Sequence, residues 1–392
     1  MRRSHRAALL AGGMIGPFAG LMTTSVLPEL GASFGVGADT ASLSVMAYTL
    51  PFAATMLFSG RLGQRWGVER TVARTYSLFV VAALACAVAP VWWVFLTSFM
   101  ALGVLNAFTT PLIMAVLAKV TEQARLGRVL GTMGALAATG TLSAPLVSGM
   151  LAQFSWRYAF VCLAVAALAL RLVGVPAAPG QGAPHVVPVP VAGRSRTLWL
   201  CGINLMVGTG VVGLGFLVAL FADDTLGSGS AERGIILMSG GVASLVLAPL
   251  IGAGLDRWGA MRVGGAALLT SASCIALVPT GATSALALAA LWAAASAGAQ
   301  GVGVAINKYV LGTPGGPSTI SFVQAFRFFG MGLAPVILLP AHRQVDGGGF
   351  FLAAALVGAA LLVHLAARPV DDRSLAARVG ATGDAREHRP DR

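Results

Sequence analysis

The hydrophobic positions of this chain fall into twelve runs, each near the ~20 mostly apolar residues that a bilayer-crossing helix needs. They lie at about 8–30, 42–60, 73–90, 92–117, 128–152, 157–175, 198–221, 233–255, 263–281, 284–306, 318–340 and 349–367, and are called spans one to twelve. Apolar residues are continuous in each run and do not alternate. That predicts helices rather than barrel strands, because a helix pairs its own backbone groups where there is no water. The longest internal polar stretch, 176–197, holds Pro176, Pro179, Pro184, Pro188 and Pro190 and ends with Arg194 and Arg196, a linker composition. The pattern predicts an all-α membrane protein with a six-helix bundle over 1–175, a cytoplasmic linker over 176–197, a second bundle over 198–367 and a disordered polar tail over 368–392. The basic start, Met1-Arg2-Arg3-Ser4-His5-Arg6, mimics a signal peptide, but the following run continues to Leu30 and is read as an uncleaved first helix.

Composition agrees. The chain is 57% hydrophobic and 10% charged, against the ~25% charged residues of soluble domains. Fifty glycines suit helices packed closely in lipid. The net charge of +12 is spread in short clusters between the runs, with no basic face, which argues against nucleic acid. With the N-terminus inside, all but four of the 26 lysines and arginines are cytoplasmic; Arg157, Arg233 and Arg343 lie outside, and Arg327 lies within a span. Both termini are therefore expected in the cytoplasm and the chain in the cytoplasmic membrane. The cysteines, Cys86, Cys162, Cys201 and Cys274, sit inside apolar runs without metal spacing and are read as packing residues. No cofactor or metal is expected.

One motif occurs twice. Gly60-Arg61-Leu62-Gly63-Gln64-Arg65-Trp66-Gly67 follows span two, and Gly252-Ala253-Gly254-Leu255-Asp256-Arg257-Trp258-Gly259 follows span eight, 192 residues later. Gly140 to Pro145 in span five returns as Gly330 to Pro335 in span eleven, 190 residues on. Two offset pairs imply two copies of one unit, related by pseudo-symmetry.

These residues resemble the major facilitator superfamily over nearly the whole chain. Gly60, Leu62, Gly63, Arg65 and Gly67 match its loop motif, whose acidic position is Gln64 here; the second copy keeps the acid as Asp256, beside Arg257 and ahead of Gly259. In physical terms the motif is a cytoplasmic latch, a carboxylate meeting an arginine and a helix end. Gly131, Gly140, Ala144, Pro145, Ser148 and Gly149 resemble the family's antiporter motif, and Trp156-Arg157 resembles the opening of span six in drug exporters. Small residues and a proline there are expected to make a close, bent contact between the halves. The Arg-x-x-Gln-Gly of many drug–proton antiporters is absent; Phe99 to Gly103 stands in its place. The resemblance implies a twelve-helix major facilitator fold.

In such a fold substrate binds between the halves near the midplane, so polar groups inside the spans are candidates. These are Thr23, Thr24, Tyr48, Asn106, Thr109 and Thr110 in the first half, and Asn204, Gln300, Gln324 and Arg327 in the second. Each also has a plain alternative: bonding a neighbouring helix, or, for Arg327, snorkelling. No Asp or Glu lies at mid-membrane. The nearest proton-coupling candidates are Glu29 after span one and the adjacent, mutually repelling Asp223 and Asp224 after span seven. Ordinary solvated loop acids are the alternative.

Neither a phosphate-binding Gly-Lys-Ser/Thr loop nor a catalytic constellation appears, so an enzyme or an ATP-driven pump is not expected. The leading expectation is a monomeric secondary transporter that exports small, fairly hydrophobic compounds in exchange for protons. Uptake of a metabolite by symport, favoured if Arg327 binds an anion, and a non-transporting sensor or scaffold are the alternatives.

Overall fold

A backbone in lipid must be helical, and helices take up every apolar run. The structure is a computed structural model that describes residues 3–109, 112–113, 116–117, 123–173, 194–311 and 316–366. No strand occurs among them. The expected linker, save its last residues, and the expected tail lie outside the described residues, as does Thr110. Span one comprises Arg3–Leu21 and Leu27–Phe34; span two is Leu43–Arg65, entered through the short turn Ala38–Ala41. Spans three to six are Val68–Val88, Trp92–Asn106, Gln123–Ala152 and Arg157–Val173. Span seven is Arg194–Gly210 and Gly215–Leu226, joined by a 3-10 turn at Val212–Leu214. Spans ten to twelve are Ala285–Leu311, Gly316–Gln344 and Gly348–Ala366.

Spans eight and nine form one run of helix, Ser230–Gly281, with 52 residues. At 1.5 Å per residue it would be about 78 Å long, far more than the ~30 Å hydrocarbon core. It is two crossings that meet at Gly259, where φ is 82°. Gly67, the matching glycine of the first copy, has φ 86°. L-residues with a Cβ avoid this region. The repeated Trp-Gly thus places a glycine at each of two equivalent sharp corners.

The bundles repeat each other in packing as well. Span one lies along span five, and span seven along span eleven. A Cβ on Gly140 would overlap the Met14 carbonyl, and one on Gly330 the Leu205 carbonyl, so equivalent glycines permit equivalent helix contacts. Spans one and seven are broken at equivalent depths, near 22–26 and 211–214. Pro28 lacks an N–H to continue the ladder from residue 24, and it sits in the first turn of Leu27–Phe34, where a proline is tolerated. Large apolar side chains such as Val81, Val88, Trp93, Val165, Leu172, Leu250 and Leu362 cover the outside, as a lipid-facing surface requires. An apolar groove between spans three and four, lined by Leu78, Val81, Met100 and Val104, belongs to that surface.

Between the halves, span five packs on span eight and span two on span eleven. Leu50 sits against Gly332, and Phe52 meets Phe328 edge-on at 4.9 Å. The outer and cytoplasmic faces are named here by the loop charges.

Candidate functional site

The break in span one leaves backbone groups of residues 22–26 outside regular helix pairing. One of them, the Ser25 carbonyl, accepts from Nε of Arg233 at 3.0 Å. Arg233 opens span eight and is 1% exposed, a cation buried at the outer ends of both halves. Its Nη2 donates to the Glu29 carboxylate; its Nη1 donates to the Asp223 carboxylate and to the Ser228 carbonyl at 3.0 Å. Glu29 and Ser25 belong to the first half, Asp223 and Ser228 to the second. One guanidinium thus ties the halves together through two carboxylates and two carbonyls. A buried charge is tolerated only with such full pairing. Glu29 Oε2 is buried with no hydrogen-bond partner.

The surroundings close the same face. Ser25 donates its hydroxyl to the Pro145 carbonyl at 2.8 Å and lies 3.1 Å from the Ser148 hydroxyl. A Cβ on Gly149 would overlap the Ser230 carbonyl, and one on Gly234 would stand 2.5 Å from the Pro145 carbonyl. Gly149 and Pro145 therefore do meet the other half. Gly140 does not: its close neighbour, Met14, is in the first half. The expected contact between halves holds only for the outer part of the span-five motif, because the span's inner part leans on span one. Gly131 lies in the span-five helix, but its surroundings fall outside the described residues. A second ion pair, Arg343 to Asp39 at 2.8 Å, also joins the halves outside. Asp224 is exposed and takes no part in the Arg233 bridge.

Of the polar candidates inside the spans, Tyr48 and Asn204 bond to the backbone of a neighbouring helix, and Thr24 and Thr109 to carbonyls of their own span. Tyr48 donates to the Gly16 carbonyl at 3.0 Å, and Gly16 gives the Asn106 carboxamide its space. Thr109 donates to the Asn106 carbonyl at 2.8 Å and lies 3.0 Å from its side-chain oxygen. Thr24 bonds to the Leu21 carbonyl at 2.6 Å, whereas the buried Thr23 hydroxyl has no partner. Asn204 donates to the Val323 carbonyl at 3.3 Å and so staples span seven to span eleven.

The rest form a polar strip in the second half. Gln300, Gly303 and Asn307 recur along span ten at i, i+3 and i+7, on one face; Gln324 and Arg327 do so on span eleven. Gln324 donates to Asn307 at 2.6 Å. Arg327 Nη1 lies against Gly303, where a Cβ would stand 2.6 Å from it. Neither Gln300 nor Arg327 makes a side-chain hydrogen bond or ion pair among the described residues.

At the cytoplasmic face, Asp256 pairs with Lys308 of span ten at 2.5 Å, and Arg257 lies over Trp258 at 5.6 Å. Asp256 thus meets a lysine of its own half rather than the adjacent arginine. Gly63 is packed against Leu112, while Arg65 and Gln64 are exposed. Around Gly60 and Gly252 the described residues leave open space.

The bridge residue itself escaped sequence reading. Arg233 was placed outside as a topology charge, and its burial was not foreseen. Two nearby carboxylates without an assigned cation, Glu29 and Asp223, were the available signal.

A family model described as Major Facilitator Superfamily matches residues 9–335. Among curated proteins, the chain is 31% identical over 179 residues to Multidrug resistance protein Stp of Mycobacterium tuberculosis, covering 44% of this chain and 33% of that protein. It is 27% identical over 154 residues to Riboflavin transporter RibZ of Clostridioides difficile, covering 38% and 33%. The chain thus spans about a third of the length of these relatives. Among solved structures it resembles nucleoside transporter NupG with a TM-score of 0.74 at 13% identity, over 93% of this chain and 99% of that one, a likeness of fold.

Proposed function

This chain belongs to the major facilitator superfamily, and on that premise we propose that it exports small, fairly hydrophobic compounds across the cytoplasmic membrane by alternating access, in exchange for protons. It is a membrane transporter and not an enzyme. The observation that carries the finer reading is the Arg233 bridge. It spans both halves, it closes the outer face, and its two counter-charges, Glu29 and Asp223, are groups that accept protons. Loss of the charge on Glu29, the counter-charge of the opposite half, weakens the closure. Substrate and proton then compete for one conformational balance, which is what exchange requires. The acidic position of the loop motif is Gln64 and the span-four stretch is apolar here, so this reading places coupling on the outer carboxylates.

Export rests on the likeness to Multidrug resistance protein Stp and on the small-residue contact of span five with span eight. One chain supplies both halves, so a monomer suffices. A second reading, uptake of a metabolite, draws on the likeness to Riboflavin transporter RibZ. The test is accumulation of a compound panel in cells with and without the protein, the proton gradient intact or collapsed. Export predicts lower accumulation with the protein, reversed when the gradient collapses. Higher accumulation would favour uptake.

A further inference from the structure

Among the described residues, Arg233 is buried and Arg327 is half-buried within a span, and they differ in what they bond. Arg233 has its three nitrogens occupied by two carboxylates and two carbonyls. Arg327, about three turns from the start of span eleven, has no ion pair or hydrogen bond from its guanidinium among the described residues. No carboxylate in the chain lies in a span near it; the acidic residues stand at span ends, in loops or in the tail. Lys308, the cation on the neighbouring span, is already paired with Asp256. A charge within a span is unfavourable without a partner, and none of the described residues supplies one.

The surroundings are shaped for one. Gly303 is the residue that leaves room for Nη1, since any Cβ there would stand 2.6 Å from it. Gln300, one turn away on the same face, keeps its carboxamide unbonded among the described residues, and a carboxamide supplies N–H donors to an anion. The Gln324–Asn307 bond closes the strip on its cytoplasmic side. The neighbours of Arg327 along span eleven, Phe326, Phe328 and Phe329, are large and apolar. A planar guanidinium fork against Gly303, with a carboxamide one turn away along the facing helix in an apolar span, matches a carboxylate on an apolar body.

We propose that Arg327 and Gln300 bind the carboxylate of an amphipathic organic acid, so that the transported class is anionic rather than cationic. This rests on the transporter reading above and names the substrate class of that same site. Cationic lipophiles meet an unneutralised positive charge and are disfavoured.

Binding to the purified full-length chain tests it without needing a gradient or a direction of transport. The probes are 1-pyrenebutyric acid and its neutral counterpart 1-pyrenebutanol, read by fluorescence in phosphatidylcholine nanodiscs with and without phosphatidylglycerol. The acid is expected to bind at least about tenfold tighter than the alcohol. Arg327→Gln should erase that preference, Arg327→Lys should keep part of it, and Gly303→Ala should weaken it by displacing the guanidinium. Equal binding of acid and alcohol by the unmodified protein, which needs no variant to fold, would overturn the proposal. So would an undiminished preference in Arg327→Gln. Loss of acid binding when phosphatidylglycerol is added would assign Arg327 to a lipid headgroup and also overturn it. Failure of the export reading is seen separately, in the accumulation assay, and leaves these binding outcomes intact.

Discussion

Removing the Glu29 charge should open the outer face. Glu29 gives Arg233 one of its two ionic contacts, and it is the one that crosses between the halves. A hydrogen bond to a charged group contributes about 1.5–3 kcal/mol and a neutral one about 0.5–1.5. Glu29→Gln keeps an acceptor oxygen and loses the charge, so the outer-closed state should lose roughly 1–1.5 kcal/mol. Glu29→Ala loses the whole contact. The Glu29 side chain is 30% exposed, which solvent screening discounts, so about 1.5–2 kcal/mol is expected there. At a factor of ten per ~1.4 kcal/mol, the open-to-closed ratio should rise about five- to tenfold for Gln and about ten- to thirtyfold for Ala. Ser148 reports the opening: it is wholly buried beside Ser25 in the closed face. In a chain with Cys86, Cys162, Cys201 and Cys274 replaced, Ser148→Cys should react slowly with a membrane-impermeant maleimide added outside. The rate should rise in the order unmodified, Glu29→Gln, Glu29→Ala. Equal rates in all three at matched expression would show that the Arg233 bridge does not control outer access.

Gly149→Leu would force methylenes into the Ser230 carbonyl of the other half, an overpacking cost of about 1–3 kcal/mol; export should fall at normal membrane levels, while the lipid-facing control Val165→Leu changes little. Gly140→Leu strikes Met14 within the first half, so it should lower the Tm of the purified protein as well as transport, and an unchanged Tm would show that this contact is loose. Gly67→Ala and Gly259→Ala should each cost about 1–2 kcal/mol of stability, read by thermal unfolding, because both residues hold positive φ. Asp256→Asn breaks an exposed pair with Lys308 and should reduce transport only modestly, less than about 1 kcal/mol in effect, yet more than Gln64→Asn, which removes no charge. Reporter fusions at Gln181 and at the C-terminus should both report cytoplasm, and an external signal at either would reverse the naming of the faces.

The fold was legible because lipid allows few solutions. A run long enough to cross must be helical, and the 192-residue repeat showed that the solution was used twice. The corners were legible as Trp-Gly because only glycine takes the φ found at Gly67 and Gly259 without strain. The helix of span four is interrupted by a turn at 107–109, and Leu112, Ile113, Val116 and Leu117 are helical again. Hydrophobicity marks depth in the bilayer and does not mark where a helix unwinds. The polar candidates were visible but could not be sorted. Tyr48 and Asn204 bond to backbone carbonyls of Gly16 and Val323, and a carbonyl is present at every residue, so no side-chain pattern announces the match. The Arg233 bridge was hidden for a related reason. Its carboxylates lie 204 and 10 residues away, and an arginine at the start of a span looks like a topology charge whether it faces water or protein.

Satisfied bonds, rather than residue type, separate the two interior arginines. Both are guanidinium groups, Arg233 buried and Arg327 half-buried within a span, and both are stabilised by anionic or carbonyl oxygen. Arg233 receives it from the chain in this conformation, and its bonds to Glu29 and Ser25 must break if the outer ends part, because those residues stand on the first half and Arg233 on the second. Its pairing is therefore tied to conformation. Arg327 sits within the second half, against Gly303 of the same half, so a rigid rotation of one half against the other leaves its immediate setting unchanged. Its need for an anion persists through the cycle and is met by a ligand that comes and goes. A group whose partners change with conformation suits a gate, and a group whose partner is missing suits a binding site. The pairing seen here assigns Arg233 to the first role and Arg327 to the second. Exchanging the tests checks the division: Arg327→Gln should leave Ser148→Cys labelling unchanged in the absence of substrate, and Glu29→Gln should leave the acid-over-alcohol preference unchanged. If either variant moved the other's readout, gate and site would be one device, and the separation drawn from their hydrogen bonds would fail.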